Sequence, residues 1–138
     1  MLEFGDDSYI RRFGGDAVEQ RDVFNYKAGL PGTTFVGDLT DAPQLPSDAF
    51  HCIICTHTLH LIYDLGAAIR TLHRILKPGG VLLATVPGIG PTCGSWREST
   101  YWKFTPLSAG RLFGDVFGST NTEVCGHGNA LKIGRAHV

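Results

Sequence analysis

Two histidines three residues apart, His57 and His60 in "THTLH", follow directly on two cysteines three apart, Cys52 and Cys55 in "FHCIICT". Imidazoles at such a place could take a proton from a reacting group. Thiolates and imidazoles together could also hold zinc. The C-x-x-C, however, lies inside a β-type apolar run. Residues three apart on a strand point to opposite faces, so the two thiols cannot converge on one ion. They read as buried structural thiols, packing as small hydrophobes. No Asp or Glu stands between the histidines in a helical metal pattern, so no metal is expected there. Against the proton-transfer reading of His57 and His60 stands the plainer one, a packed ring beside a solvated one.

Carboxylates supply the second set of candidates. Glu3, Asp6 and Asp7 surround Gly5 in "LEFGDDSY", Asp22 stands in "RDV", and Asp38 with Leu39 in "VGDL". A glycine here lets the chain pass close to a ligand where a side chain would obstruct it. Helix N-termini attract anions, and dinucleotide sites use one to hold a pyrophosphate. Three carboxylates at the same turn would repel a pyrophosphate and tolerate a cationic ligand. For Asp6 and Asp7 a second reading stays open, that of helix caps.

Positioning these residues requires strands that end beside one another. "MLEF" is apolar enough for a short buried strand, "AVEQRDVFNY" contains a second, "TFVGDL" a third, and "FHCIICT" a fourth. The period then changes. Leu65, Ala68, Ile69, Leu72, Ile75 and Leu76 recur at helical spacing, with Asp64 as N-cap and Lys77-Pro78-Gly79-Gly80 as stop signal. "VLLATVP" follows as a fifth strand, giving a βαβ unit whose two strands are parallel. A second helix is expected in "PLSAGRLFGDVF", and "TEVCGHG" is expected to begin a last strand. The pattern specifies an α/β fold, a mostly parallel sheet flanked by helices, with ligands outside the carboxyl ends of the strands. Tyr101, Trp102 and Phe104 either line an acceptor pocket or belong to the core, and Arg11 and Arg12 read as a solvated face.

Composition narrows the function classes. At 138 residues the chain is one domain at most, long enough for a real core. Lys plus Arg (12) nearly balances Asp plus Glu (13), leaving no electrostatic footprint for nucleic acid or a membrane surface. No apolar run approaches the roughly 20 residues that span a bilayer. Four cysteines without a secreted context point to a reducing cytoplasm.

With the strand ends marked, the chain resembles the class I S-adenosylmethionine-dependent methyltransferases of the type 11 group. "LEFG", "RDV", "VGDLTDAPQLPSDAFHCII" and "LHRILKPGGVLLATVP" carry the likeness over residues 1 to 90, and "YWKFTPLSAGRLF" resembles the entry to such domains' last helix. The resemblance implies a Rossmann-like fold and S-adenosylmethionine as cofactor. Glu3 and Gly5 would flank its methionine part, Asp22 at the end of the second strand its ribose, and Asp38 with Leu39 its adenine. His57 or His60 would serve as general base toward a hydroxyl or amine acceptor, which could be a small molecule, a sugar, a lipid or a protein. The chain departs from the family's pattern at Asp7 and Tyr9, where further glycines are usual, and at His51, where Asp is usual. Two other classes remain: a non-catalytic degenerate homologue that binds without reacting, and a nicotinamide-dependent oxidoreductase, disfavoured by the missing G-x-G-x-x-G.

The tail "KIGRAHV" has neither strand alternation nor a helical stripe, and resembles one reading frame of a sequencing adapter. Residues 132–138 are therefore expected to be non-native, residues 1–131 to be a methyltransferase-like domain partial at both ends, and the sheet to lack its final antiparallel strand. One sheet edge is then expected to lie unpaired, which favours self-association.

Overall fold

A computed structural model describes residues 1–90, 94 and 97–127. Five strands form one sheet in the order β3-β2-β1-β4-β5, and every neighbouring pair is parallel. They are β1 (Leu2–Phe4), β2 (Asp22–Asn25), β3 (Phe35–Val36), β4 (Phe50–Thr56) and β5 (Leu76–Thr85). Helix α1 (Leu65–Ile75) connects β4 to β5, and α2 (Pro106–Phe117) follows β5. This is the α/β architecture expected from the alternation of periods.

Both helices begin where side chains satisfy their first free amides. The Asp64 carboxylate accepts the Ala67 N–H at 2.9 Å, as its position before the apolar stripe implied. At α2, Thr105 accepts the Ser108 N–H at 3.1 Å while the Ser108 hydroxyl accepts the Thr105 N–H at 3.0 Å, and Pro106 opens the first turn. The buried stripe of α1 (Ala68, Leu72 and Ile75) packs on Leu2, Phe4, Ile53 and Cys55 from the sheet. Leu72 is fully buried, so Leu72→Ala should cost about 2–5 kcal/mol of stability, read from chemical denaturation.

Three boundaries differ from the sequence expectation. The Lys77-Pro78-Gly79-Gly80 stretch ends α1 but does not leave the sheet, since β5 already begins at Leu76. It is absorbed as an irregularity: Phe50 pairs with Leu76, yet Cys52 pairs with Val81. Gly79 takes φ +77°, and at Gly80 a Cβ would meet the Lys77 carbonyl at 2.8 Å, so glycines are needed there. Secondly, β2 starts at Asp22 instead of ending near it. Thirdly, Thr122–His127 forms no strand. It lies against α2, with Val124 and Gly126 close to Gly110 and Pro106. The stretch after "GHG" and residues 132–138 lie outside the described residues.

Among the described residues β5 pairs only with β4, leaving its other edge open, with Val81 and Leu83 more than half exposed. The loop between β3 and β4 is fastened from below. Arg74 on α1 donates to the Leu45 carbonyl (2.7 Å) and the Ala42 carbonyl (2.8 Å), so Leu45 stays fully buried despite its Pro-rich surroundings. No helix among the described residues is long and apolar enough to cross a membrane.

Candidate active site

Strand register decides which residues meet at the carboxyl edge. Glu3 pairs with Val23 on one side and Ile54 on the other. Two residues on, Gly5 therefore stands between Asn25 and Thr56. Direct bonds fix it there: the Gly5 N–H donates to the Phe24 carbonyl (3.2 Å), and Asn25 Nδ2 donates to the Gly5 carbonyl (3.0 Å) and to Thr33 Oγ1 (2.8 Å). Gly5 has φ +96°, and a Cβ built on it would meet nothing within 4 Å. The turn is thus held from behind and open in front. Its backbone is one that only glycine adopts without strain.

The three carboxylates around this turn have local partners. Glu3 is buried, and its two oxygens accept the N–H groups of Tyr9 (3.1 Å) and Ile10 (2.9 Å), which folds the chain after Gly5 back over β1. Asp6 accepts the Ser8 N–H at 2.9 Å, and this bonding to Ser8 holds its pKa below the usual carboxylate range. Asp7 pairs with Arg11 at 2.6 Å, which lowers its pKa in the same way. The capping reading of Asp6 and Asp7 therefore describes their contacts, while both stay ionised at neutral pH and keep the turn acidic. Arg12 lies over the Phe13 ring, at 5.3 Å from its centroid, on the exposed face expected for the arginines.

Asp22 is displaced from the position expected of it. It pairs with Leu2 at the start of β2, so it lies at the amino edge, opposite Gly5, and Gln20 Nε2 donates to its carboxylate at 2.9 Å. The apolar run "VF" that follows it, not the acid, is the strand's body. Asn25 and the exposed Tyr26 hold the carboxyl end of β2 instead. Asn25 was legible only as a polar residue closing an apolar run. Asp38 does follow β3 at the carboxyl edge. It is exposed, and its Oδ1 accepts from the Thr40 N–H (2.9 Å) and hydroxyl (2.8 Å). Leu39 beside it is buried in the core, so only its backbone faces outward chemistry.

His57 and His60 lie together after β4, their ring centroids 6.2 Å apart. His57 is exposed and takes φ +45°, an unusual conformation for a side-chain-bearing residue, held by its N–H bonds to the Thr85 carbonyl (3.0 Å) and hydroxyl (3.2 Å). Such outliers concentrate at functional sites. His60 is partly buried, and its Nδ1 is buried without a hydrogen-bond partner among the described residues. An imidazolium there would carry an N–H with no acceptor. Burial, then the neighbouring His57 and Lys103, push its pKa below the ordinary histidine value, so the ring is neutral at pH 7. Phe104 belongs to the core, whereas Tyr101 and Trp102 are exposed beside the histidines.

Among the described residues the three cysteines lie apart from this edge chemistry. Cys55 is fully buried and its thiol is pushed up to about 12, Cys52 is half-buried and raised by the same cause, and Cys125 is exposed. Of the described cysteines, a thiol reagent on the folded protein should modify Cys125 first and reach Cys55 only after denaturation.

Residues 15–84, just over half of the chain, match the family model described as "Methyltransferase domain". The chain belongs to this methyltransferase domain family. S-adenosylmethionine is the cofactor that goes with it. A curated relative, the ubiquinone/menaquinone biosynthesis C-methyltransferase UbiE of Pectobacterium carotovorum, is 33% identical over 63 residues, 46% of this chain and 25% of that protein. The chain thus spans about a quarter of that methyltransferase's length. A chain of the Haloferax volcanii complex between the Trm112 methyltransferase activator and a methyltransferase superposes with TM-score 0.64 at 17% identity, over 83% of this chain and 59% of the other. The [4+2]-cyclase SpnF gives 0.62 at 18% identity, over 83% and 48%. At these identities the structural likeness establishes the Rossmann-like fold, and SpnF shows that proteins of the methyltransferase fold include a cyclase.

Proposed function

We propose that this domain binds S-adenosylmethionine across the carboxyl ends of β1, β2 and β3 and transfers its methyl group to an acceptor approaching over β4. The open turn at Gly5 carries this reading, since it combines close backbone access with ionised acids, and the nearby Arg11 is taken up by Asp7. Gly5 would lie against the methionine part of the cofactor, with Glu3 acting as a positioning residue that fixes the turn through the Tyr9 and Ile10 amides. Asn25 and Tyr26 take the ribose position in place of Asp22, and Asp38 with the Leu39 backbone takes the adenine.

The cofactor supplies a methyl group on a sulfonium, which is reactive without further activation. What remains for the protein is to hold the acceptor in line and to remove its proton. His60 is the candidate base, because its ring is neutral at pH 7 and partly withdrawn from water. His57 is the second candidate. Ultraviolet crosslinking with methyl-labelled S-adenosylmethionine tests the placement. Label is expected on peptides containing Gly5 to Tyr9 or Asn25 and Tyr26. Label confined to β5 and α2 would contradict it.

The runner-up is a degenerate homologue that keeps the fold and has lost methyl transfer. The observations that favour it are the non-glycine residues Asp7 and Tyr9 in the turn and the occurrence of a cyclase on this fold.

A further inference from the structure

The segment that reaches the histidines from beyond β5 is built as a rigid aromatic surface. The Tyr101 and Trp102 N–H groups both donate to the His60 carbonyl, at 2.9 and 3.3 Å. The Trp102 indole N–H is shared between the carbonyls of Ile62 (3.0 Å) and Tyr63 (3.2 Å). Its polar edge is therefore satisfied internally. Tyr63 stacks on Trp102 with centroids 6.0 Å apart and planes 30° apart, and meets Tyr101 edge-on at 5.4 Å. Nevertheless Tyr63 is 71% exposed, Tyr101 57% and Trp102 38%. One ring fixed by its own hydrogen bonds and two packed against one another or against it, all left in water, form a recognition surface more readily than a core.

We propose, building on the methyl-transfer reading, that Tyr63, Tyr101 and Trp102 form the acceptor subsite beside His60, and that the acceptor is a planar ring bearing an ionisable hydroxyl. Flat rings gain most from stacked and edge-on aromatic partners whose geometry is already set. A histidine with a depressed pKa is a weak base, matched to a hydroxyl near the phenol range, about 10, and poorly matched to an alkyl alcohol. The charged or chargeable groups bearing on His60 are His57 and Lys103, and both favour an anion beside it. The hydroxyl proton passes to His60 Nε2, since Nδ1 is buried, and from there to solvent, leaving the ring oxygen as the nucleophile.

4-Nitrophenol is a suitable probe, because its ionised form is read directly by absorbance. The protein should bind it and lower its apparent pKa. Trp102→Ala and, independently, Tyr63→Ala should weaken binding on the order of tenfold. Lys103→Gln should return the probe's pKa toward its solution value. Among the described residues Tyr63 makes no side-chain hydrogen bond, and it is mostly exposed, so its variant should fold even if the Trp102 variant does not. Unchanged binding in folded Tyr63→Ala would overturn the proposal, as would displacement of the probe by equimolar methyl glucoside. S-adenosylhomocysteine titrated into the same samples separates the two readings. A protein that binds it but not the phenol overturns the subsite alone. One that binds the phenol but no S-adenosylhomocysteine supports the subsite and removes the transfer reading.

Discussion

Replacing Gly5 with valine should reduce binding of S-adenosylhomocysteine by more than a hundredfold while leaving the protein folded. Gly5 lies at the carboxyl edge between Asn25 and Thr56, with φ +96° and no protein atom within 4 Å of the position a Cβ would occupy. A side chain therefore meets no neighbour in the free protein and projects into the space proposed for the ligand. Backbone strain adds a cost of about 1–3 kcal/mol, a fraction of the 5–15 kcal/mol typical of a folded domain. Circular dichroism of the variant separates loss of ligand from loss of fold. Asp22→Ala is the matched control. Because Asp22 sits at the opposite edge, held by Gln20, its loss should leave affinity unchanged and lower stability only. Equal affinities in wild type and folded Gly5→Val would place the ligand elsewhere.

His60→Ala should lower turnover by about a hundredfold, equivalent to about 2.7 kcal/mol of transition-state stabilisation, without changing affinity for S-adenosylhomocysteine. The wild-type rate should be flat above pH 7 and fall on acidification, as the ring becomes protonated below the ordinary histidine pKa of 6.5. The sign follows from the direction of the shift, since burial favours the neutral form that acts as base. Stability follows the same sense: the unfolded ring binds a proton at higher pH than the folded one, so acidification destabilises the fold through this residue. His57→Ala should have a smaller effect, its ring being exposed. Full turnover in both single variants would leave neither histidine as a base.

The parts of the fold legible in the sequence were those fixed by local rules. Asp64 before an apolar stripe, the stretch from Pro106 to Phe117 and the apolar run from Phe50 to Thr56 each specify their element through neighbours a few residues away. Strand ends were less legible, because pairing is settled by distant segments. Asp22 reads as the end of a strand, yet register with Leu2 makes it the beginning. Gly79 and Gly80 read as a stop, yet β4 pairs around them. Of the candidates chosen by residue type, Gly5, Asp38 and the histidines do lie at the carboxyl edge of the sheet. The binding of Glu3 to the Tyr9 and Ile10 amides, the grip of Asn25 on Gly5 and the lock on Trp102 depend on contacts across 6 to 40 residues of sequence and leave no periodic trace.

The most direct test of the central claim is calorimetric titration of the protein with S-adenosylhomocysteine and, separately, with NAD. The acidic turn at Gly5 should admit the first, whose amino group is cationic, and reject the second, whose pyrophosphate would face the ionised Asp6 and Asp7. Saturable binding of S-adenosylhomocysteine with none of NAD is the expected result; binding of NAD alone would contradict it.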